Sequence, residues 1–452
     1  MFRGTAIIDG SPVYGSRQRW IGVGLRVEDR SEANAAGKPA DTTRSRGPVS
    51  VPDELGRSVR DRYEFVILGA GCSGLSLCYY LLERGVDAPI LILDRKRTFE
   101  DDRTWCFWDV EPTPFTRLAL KEWSSWDFVS AGGSATQTNN RYPYKCLAGR
   151  DFYEHALARL AESPNVTVRL GEEVRGYTEE NGEVRVETSG GTLRSRQVFD
   201  GRGLLPGSPV FEEARQRAVW VPQKFLGLRI RVCKPVFDPE RCTLMDFSVD
   251  QSRGLRFVYV LPMGEREALV ENVYLSEADV SQAEHRAEIG AYLESIYGLS
   301  PDEYETLGEE RGYIPMTDHA FLRRFGERIH NIGMLGGETR PSTGYTFLRI
   351  QRHCRALAAA VVSGADPPER THPRRLDLLD SLFLRFVRER PGECPEVYRR
   401  MFVGVPPDSL VRFLTEKSTP LDEARLVRAL PKTPFLKLAA RTLLERPPAP
   451  GP

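Results

Sequence analysis

Glu64-Phe-Val-Ile-Leu-Gly-Ala-Gly-Cys-Ser-Gly74 sets a short apolar run of buried-strand type directly against a Gly-x-Gly-x-x-Gly turn. An apolar-periodic segment follows, Leu75-Ser-Leu-Cys-Tyr-Tyr-Leu-Leu82, and then a second strand-like run, Pro89-Ile-Leu-Ile-Leu-Asp94, that ends on an acid. This order predicts a βαβ nucleotide-binding unit. Gly69 permits the tight turn, Gly71 lets backbone approach a pyrophosphate, and Gly74 lets the helix pack close to the strand. The helix N-terminus then faces the phosphates. Asp94 lies twenty residues beyond Gly74, the spacing at which a carboxylate meets an adenosine ribose hydroxyl.

A chain of 452 residues has room for two or three domains and a substantial core. Lys plus Arg and Asp plus Glu both number 63, so the charge balance gives nucleic acid no support as the main partner. No run reaches the roughly 18 apolar residues that a spanning helix needs, and the start, Met1-Phe-Arg-Gly-Thr-Ala6, lacks the order of a secretory signal. A cytoplasmic protein is the expectation. The eight cysteines contain no CxxC and read as reduced, packed thiols; the six histidines show no HxxxH, and no metal site is assigned.

Residues 1–61 are rich in Gly, Ser, Arg, Ala and Asp and carry little periodicity, which predicts a disordered extension. The nucleotide-binding domain is expected over 62–218 and again over 325–365. Its pieces are a helix from Asp151, strands at 166–170 and 184–188, and a buried-type run at Gln197-Val-Phe-Asp-Gly-Arg-Gly203 whose turn is either a second cofactor contact or a bare β-turn. Between them, 219–324 shows alternating segments such as Phe225–Val232, Leu255–Leu261 and Ala268–Leu275, which predict an antiparallel substrate domain with one buried face. The chain returns through Ile329–Gly337 and Arg340-Pro-Ser-Thr-Gly-Tyr345, a second Gly-rich loop opening a helix over about 346–363. Residues 366–452 read as Arg-rich amphipathic helices, suited either to a membrane surface or to packing on the substrate domain.

Glu271 stands in the apolar strand-like run Leu269-Val-Glu-Asn-Val273, and Asp246 in Leu244-Met-Asp-Phe247. Burial would hold such carboxyls neutral and make them proton donors, although a lone Glu in a strand commonly faces solvent. Trp105, Phe107 and Trp108, with Trp123 and Trp126 nearby, suit either a hydrophobic tunnel or a core. Arg103 and Arg150 are candidate phosphate partners or surface arginines.

The order of GAGCSG, Asp102-Arg-Thr-Trp-Cys-Phe-Trp108, Leu244-Met-Asp-Phe247, Phe257-Val-Tyr-Val-Leu-Pro262, Leu269-Val-Glu-Asn272 and Gly336-Gly-Glu-Thr-Arg-Pro-Ser-Thr-Gly-Tyr345 resembles the flavin-dependent lycopene cyclases of carotenoid-making bacteria and plastids over roughly residues 63 to 440. The resemblance implies an α/β fold like that of the glutathione reductase and aromatic hydroxylase flavoproteins. It implies FAD, working reduced and kept so by NAD(P)H, held by Gly69, Gly71, Gly74, Asp94, Arg103, Arg150, Gly336, Gly337, Ser342, Thr343 and Gly344. It also implies conversion of the ψ ends of lycopene to β-ionone rings, through γ-carotene to β-carotene. Glu271 then becomes the proton donor, with Asp246 a second catalytic carboxylate and Trp105 and Trp108 in the substrate tunnel. The chain departs from the family at Asn272-Val273, where an acid or aromatic and then Thr are usual, which puts any role of the second position in doubt. Because lycopene dissolves in membrane, peripheral association with the cytoplasmic side of the inner membrane is expected. The competing reading is a true FAD-dependent oxidoreductase on the same fold, a hydroxylase or polyprenyl reductase acting on an isoprenoid.

Overall fold

The computed structural model describes residues 48–56 and 60–445. The opening unit is β1 (Arg62–Leu68), α1 (Cys72–Glu83) and β2 (Ile90–Asp94). The chain then makes β3 (Thr104–Trp108), β4 (Lys121–Trp123), β5 (Ser125–Ser130), β6 (Gly133–Thr138) and β7 (Tyr144–Ala148). It returns through α2 (Gly149–Ala161), β8 (Val166–Leu170), the hairpin β9 (Val174–Glu180) and β10 (Glu183–Thr188), and β11 (Gly191–Asp200). After α3 (Pro209–Arg217) come β12 (Trp220–Val232), β13 (Arg241–Asp246), β14 (Leu255–Gly264), β15 (Glu267–Leu275), α4 (Gln282–Tyr297) and β16 (Tyr304–Thr317). β17 (Arg324–Phe325), β18 (Ile329–Asn331) and α5 (Phe347–Ser363) complete the nucleotide unit. Five helices close the chain: α6 (Arg375–Glu389), α7 (Cys394–Gly404), α8 (Pro407–Leu414), α9 (Pro420–Ala429) and α10 (Lys432–Glu445).

The first sheet runs β18-β11-β1-β2-β8 with all neighbours parallel, β17 at one edge and the β9–β10 hairpin paired to the start of β11. Val66, Ile67 and Leu68 of β1 and Ile90, Leu91 and Ile92 of β2 are fully buried, as expected of strands covered on both faces. One cover is α1, packed on α2 and α5. β1 is the central strand, with β2 on one side and β11 on the other, so the crevice at their carboxyl ends is where such a sheet binds ligand.

The second sheet runs β16-β12-β15-β14-β13-β5-β6, antiparallel except between β13 and β5. Leu226, Leu228, Ile230, Val258, Val260 and Val270 pack with Ile289 and Leu293 of α4 on one face. The period of two sends the intervening residues to the other face, under the C-terminal helices. Because β5 and β6 belong to this sheet, the substrate domain is not confined to 219–324 as expected; it borrows 125–138 from the nucleotide half. A three-stranded sheet, β3-β7-β4, joins the two.

The extension also ends earlier than expected. Val49 bridges Phe99 and Leu55 is fully buried against the nucleotide unit, so 48–56 is part of the packed body. The expectation for residues 1–47 lies outside the described residues.

Candidate active site

One cavity of about 670 Å³ runs from the glycine turn of the first sheet to the second sheet. At its first end lie Gly69, Gly71, Cys72, Ser73 and Asp94. Gly69 has φ +97°, and a Cβ there would meet the Gly201 carbonyl oxygen at 2.8 Å; a Cβ on Gly74 would overlap the Gly69 carbonyl. Gly71 differs from both, because a Cβ there would meet nothing within 4 Å. The space in front of it is open, as a backbone that receives a pyrophosphate requires. No side chain caps α1 at Gly71, so its first N–H groups remain for an anion. The Asp94 carboxylate accepts the Ala70 and Lys96 N–H groups at 2.7 and 2.8 Å, which fixes it while each oxygen keeps a second lone pair for a hydroxyl. A second helix start, Thr346 to Ile350 of α5, lines the same cavity and also lacks a side-chain cap. These features fit a dinucleotide laid between two helix N-termini.

The other end is apolar and aromatic. Trp108, Tyr144, Phe257, Tyr259 and Tyr345 line it, with Tyr398, Met401 and Phe402 of α7 and Leu414 of α8 above. Tyr259 donates to or accepts from Tyr144 at 2.9 Å, and burial raises both phenols. Glu271 of β15 projects into this end. What exposure it retains is to the cavity, with protein on all sides. Desolvation, then the charge of Glu310 and a hydrogen bond shared with it, and then Cys106, push the Glu271 carboxyl well above its ordinary range. A carboxyl so placed keeps its proton to higher pH than a free one and can donate it.

The sequence model of the family described as "Lycopene cyclase protein" matches residues 64–440. This chain belongs to the lycopene cyclase family. A lycopene beta-cyclase of Paracoccus sp. (strain N81106 / MBIC 01143) is 26% identical over 410 residues, 85% of this chain and 98% of that protein. A lycopene beta-cyclase of Pantoea ananas is 24% identical over 399 residues, 84% and 97% of the two chains. Among solved structures, the halogenase PltM in complex with phloroglucinol and FAD superposes with a TM-score of 0.54 at 12% identity, over 85% of this chain and 93% of that one. A geranylgeranyl bacteriochlorophyll reductase-like protein of Thermoplasma acidophilum gives 0.51 at 14%, over 85% and 97%. The shared fold is the Rossmann-type flavoprotein fold.

In this lycopene cyclase family member the sequence-derived residues divide by position. Gly69, Gly71, Asp94, Arg103, Trp105, Trp108, Glu271, Ser342, Thr343 and Gly344 line the cavity. Gly74 stands behind the wall, where it brings α1 onto β1. Arg150 is a correction: it is absent from the wall, and its guanidinium pairs with Glu154 one helical turn on, at 2.8 Å. Gly336 and Gly337 are a second correction. They shape the turn after β18, with Gly337 at φ +78°, while Gly333 and Met334 reach the cavity. Ser342 donates to the buried Asp380 at 2.7 Å, so its hydroxyl anchors the loop to α6. Trp123 and Trp126 are core residues.

Asp246 is a third correction. It lies on the α4 face of the sheet, 3% exposed, accepting from the Tyr292 hydroxyl at 2.9 Å and from the Ser248 N–H at 2.8 Å. Its apolar neighbours in sequence belong to the opposite face, which is why the run looked like a catalytic strand. Asn272 also faces α4. It accepts from Arg256 at 2.7 Å and donates to Glu288 at 2.6 Å, with His285 beside it at 2.9 Å. Of the two positions that depart from the family pattern, Asn272 is thus outside the cavity, while Val273 lines it. The residue that sequence reasoning missed is Glu310, buried on β16 and lining the cavity beside Glu271. In sequence it is one of two consecutive glutamates, Glu309-Glu310, and only strand alternation separates the inward one from the outward one that pairs with Arg286.

Proposed function

We propose that this protein cyclises the ψ end groups of lycopene to β rings, acting on a substrate drawn from membrane, with FAD bound between α1 and α5. The observation that carries this reading is the Glu271 carboxyl, its proton affinity raised by desolvation and by Glu310, at the apolar end of a cavity whose other end is a dinucleotide turn. Ring closure needs a proton on C2, a C1 cation attacked by the C5=C6 double bond, and loss of a proton from C6. Glu271 supplies the first proton to a site covered by apolar residues of α7 and α8. Trp108, Tyr144, Tyr259 and Tyr345 line this end of the cavity, and aromatic side chains suit a site where positive charge develops. When bound and kept reduced by NAD(P)H, FAD would supply an electron-rich plane able to stabilise such charge. Gly69, Gly71, Asp94 and Arg103, with Thr343 to Thr346 and the start of α5, are the residues that would hold it.

Delivery from a bilayer is supported by the outer faces of the C-terminal helices. Val403 on α7, Leu421 and Val427 on α9 and Leu436 on α10 are exposed, interleaved with exposed Arg428, Lys432 and Lys437. This pattern suits a peripheral contact with anionic lipid. Among the described residues no helix is long and apolar enough to cross a membrane.

The test is expression in a lycopene-accumulating bacterium followed by pigment chromatography and mass spectrometry. The expected product has a shortened chromophore, cyclic ends and unchanged mass, with no net NAD(P)H or oxygen consumed. A product heavier by oxygen, or reduced, would instead establish an oxidoreductase. Flotation with anionic liposomes tests the membrane contact, and loss of flotation on replacing Val427 and Leu436 by Glu is the expected result.

A further inference from the structure

Glu271 and Glu310 do not sit on adjacent strands. The register places Gly227 of β12 opposite Glu271 of β15 on one side and opposite Glu310 of β16 on the other. Gly227 has ordinary backbone angles, so it is not a turn glycine. What it lacks is a side chain: a Cβ there would meet the Glu271 Cγ at 2.8 Å and its carboxyl oxygen at 3.3 Å. The gap lets two carboxyl groups meet across an intervening strand. Glu310 is held from its far side by the Thr104 hydroxyl at 2.7 Å. The other titratable or charged groups facing the pair are Cys106 on β3, Cys146 on β7, Tyr259 on β14 and Arg229 on β12, and Arg229 is engaged by Asp101 at 2.9 Å. Among the described residues neither carboxyl is ion-paired.

We infer that Glu310 is a positioning residue for the cyclisation, forming with Glu271 a carboxyl pair that holds one proton, aims it into the cavity and takes one back. This rests on the proposed cyclisation and deepens it. Two carboxylates in contact do not both ionise readily, so one proton is shared. Donation from Glu271 forms a C–H bond at C2 as the C1=C2 π bond breaks. The C1–C6 bond then forms, and the C6–H bond breaks to restore C5=C6. The pair, left with two negative charges, is the strong base that receives that proton. Protons and electrons balance, and no solvent proton or redox partner is consumed.

The experiment uses the full-length FAD-loaded protein and two readouts. An infrared pH titration follows the C=O stretch of the protonated carboxyl without substrate, and cyclisation of lycopene in liposomes is measured across pH. In wild type the carboxyl band is expected to persist through neutral pH, and Glu271→Gln is expected to remove it. Glu310→Gln removes the neighbouring negative charge, so the band and the high-pH limit of cyclisation are expected to move together to lower pH. Each unit of that shift below the assay pH costs about tenfold in rate. Glu310→Asp keeps the charge and is expected to restore most of the limit. A Glu310→Gln protein that titrates and cyclises as wild type does would overturn the inference, as would an Asp variant no better than Gln. If wild type forms no cyclic product while its band shifts as described, the pair stands and the proposed substrate fails.

Discussion

The two faces of the seven-stranded sheet bury acids in opposite ways. On the α4 face, Asp246 accepts from Tyr292 and Ser248, and Asn272 links Arg256 to Glu288. Donors meet acceptors, and the network fixes α4 on the sheet. On the cavity face, Glu271 meets another acid, Glu310, and aromatic surface. A buried acid with its donors supplied is a structural element; one whose nearest titratable neighbour is another acid has its proton affinity raised. Asp246 and Glu310 are both buried, so burial by itself does not distinguish the two kinds.

The comparison breaks first at Glu271. Glu271→Gln is expected to lower the cyclisation rate by roughly 10²–10⁴, the usual contribution of a general acid, with FAD content and fold unchanged; near-normal turnover would remove Glu271 from the proton path. Asp246→Ala leaves the Tyr292 hydroxyl buried without its acceptor. It is expected to cost about 1–3 kcal/mol of stability in denaturant titrations, while the folded fraction cyclises at the wild-type rate. Loss of turnover at full stability would return Asp246 to the reaction. Asn272→Asp sets a second carboxylate against Glu288, partly offset by Arg256, so a loss of about 1 kcal/mol is expected, with product ring type unchanged in chromatography. A smaller effect concerns pH. The Glu271 carboxyl is raised in the fold relative to the unfolded chain, so its stabilising share is complete below the unfolded value and is lost as pH rises toward the folded one. Thermal melts are therefore expected to show Glu271→Gln gaining on wild type from mildly acid to mildly alkaline pH.

The nucleotide half was readable because its chemistry is local. Gly69, Gly71, Gly74 and Asp94 act within a single βαβ unit, and each glycine has a backbone reason that spacing alone reveals. The Arg150 and Gly336–Gly337 assignments missed for the same reason inverted. Whether an arginine turns to a cavity or to Glu154 one turn along its own helix is decided by the direction of α2. Which glycine of a rich loop reaches the ligand depends on how the turn after β18 packs against Asn331.

By itself the sequence determined the α/β class, the dinucleotide turn, a helix over about 346–363, the alternating second sheet and the suspicion that Glu271 is an acid. Strand periodicity even implies that Glu271 and Asn272 point to opposite faces. Only the tertiary structure decided which face holds the cavity, because α7 and α8, more than a hundred positions beyond β15, are what cover it. It alone paired Glu271 with Glu310 through the missing side chain of Gly227. Those three residues span more than eighty positions of sequence, and nothing short of the register of β15, β12 and β16 brings them onto one line.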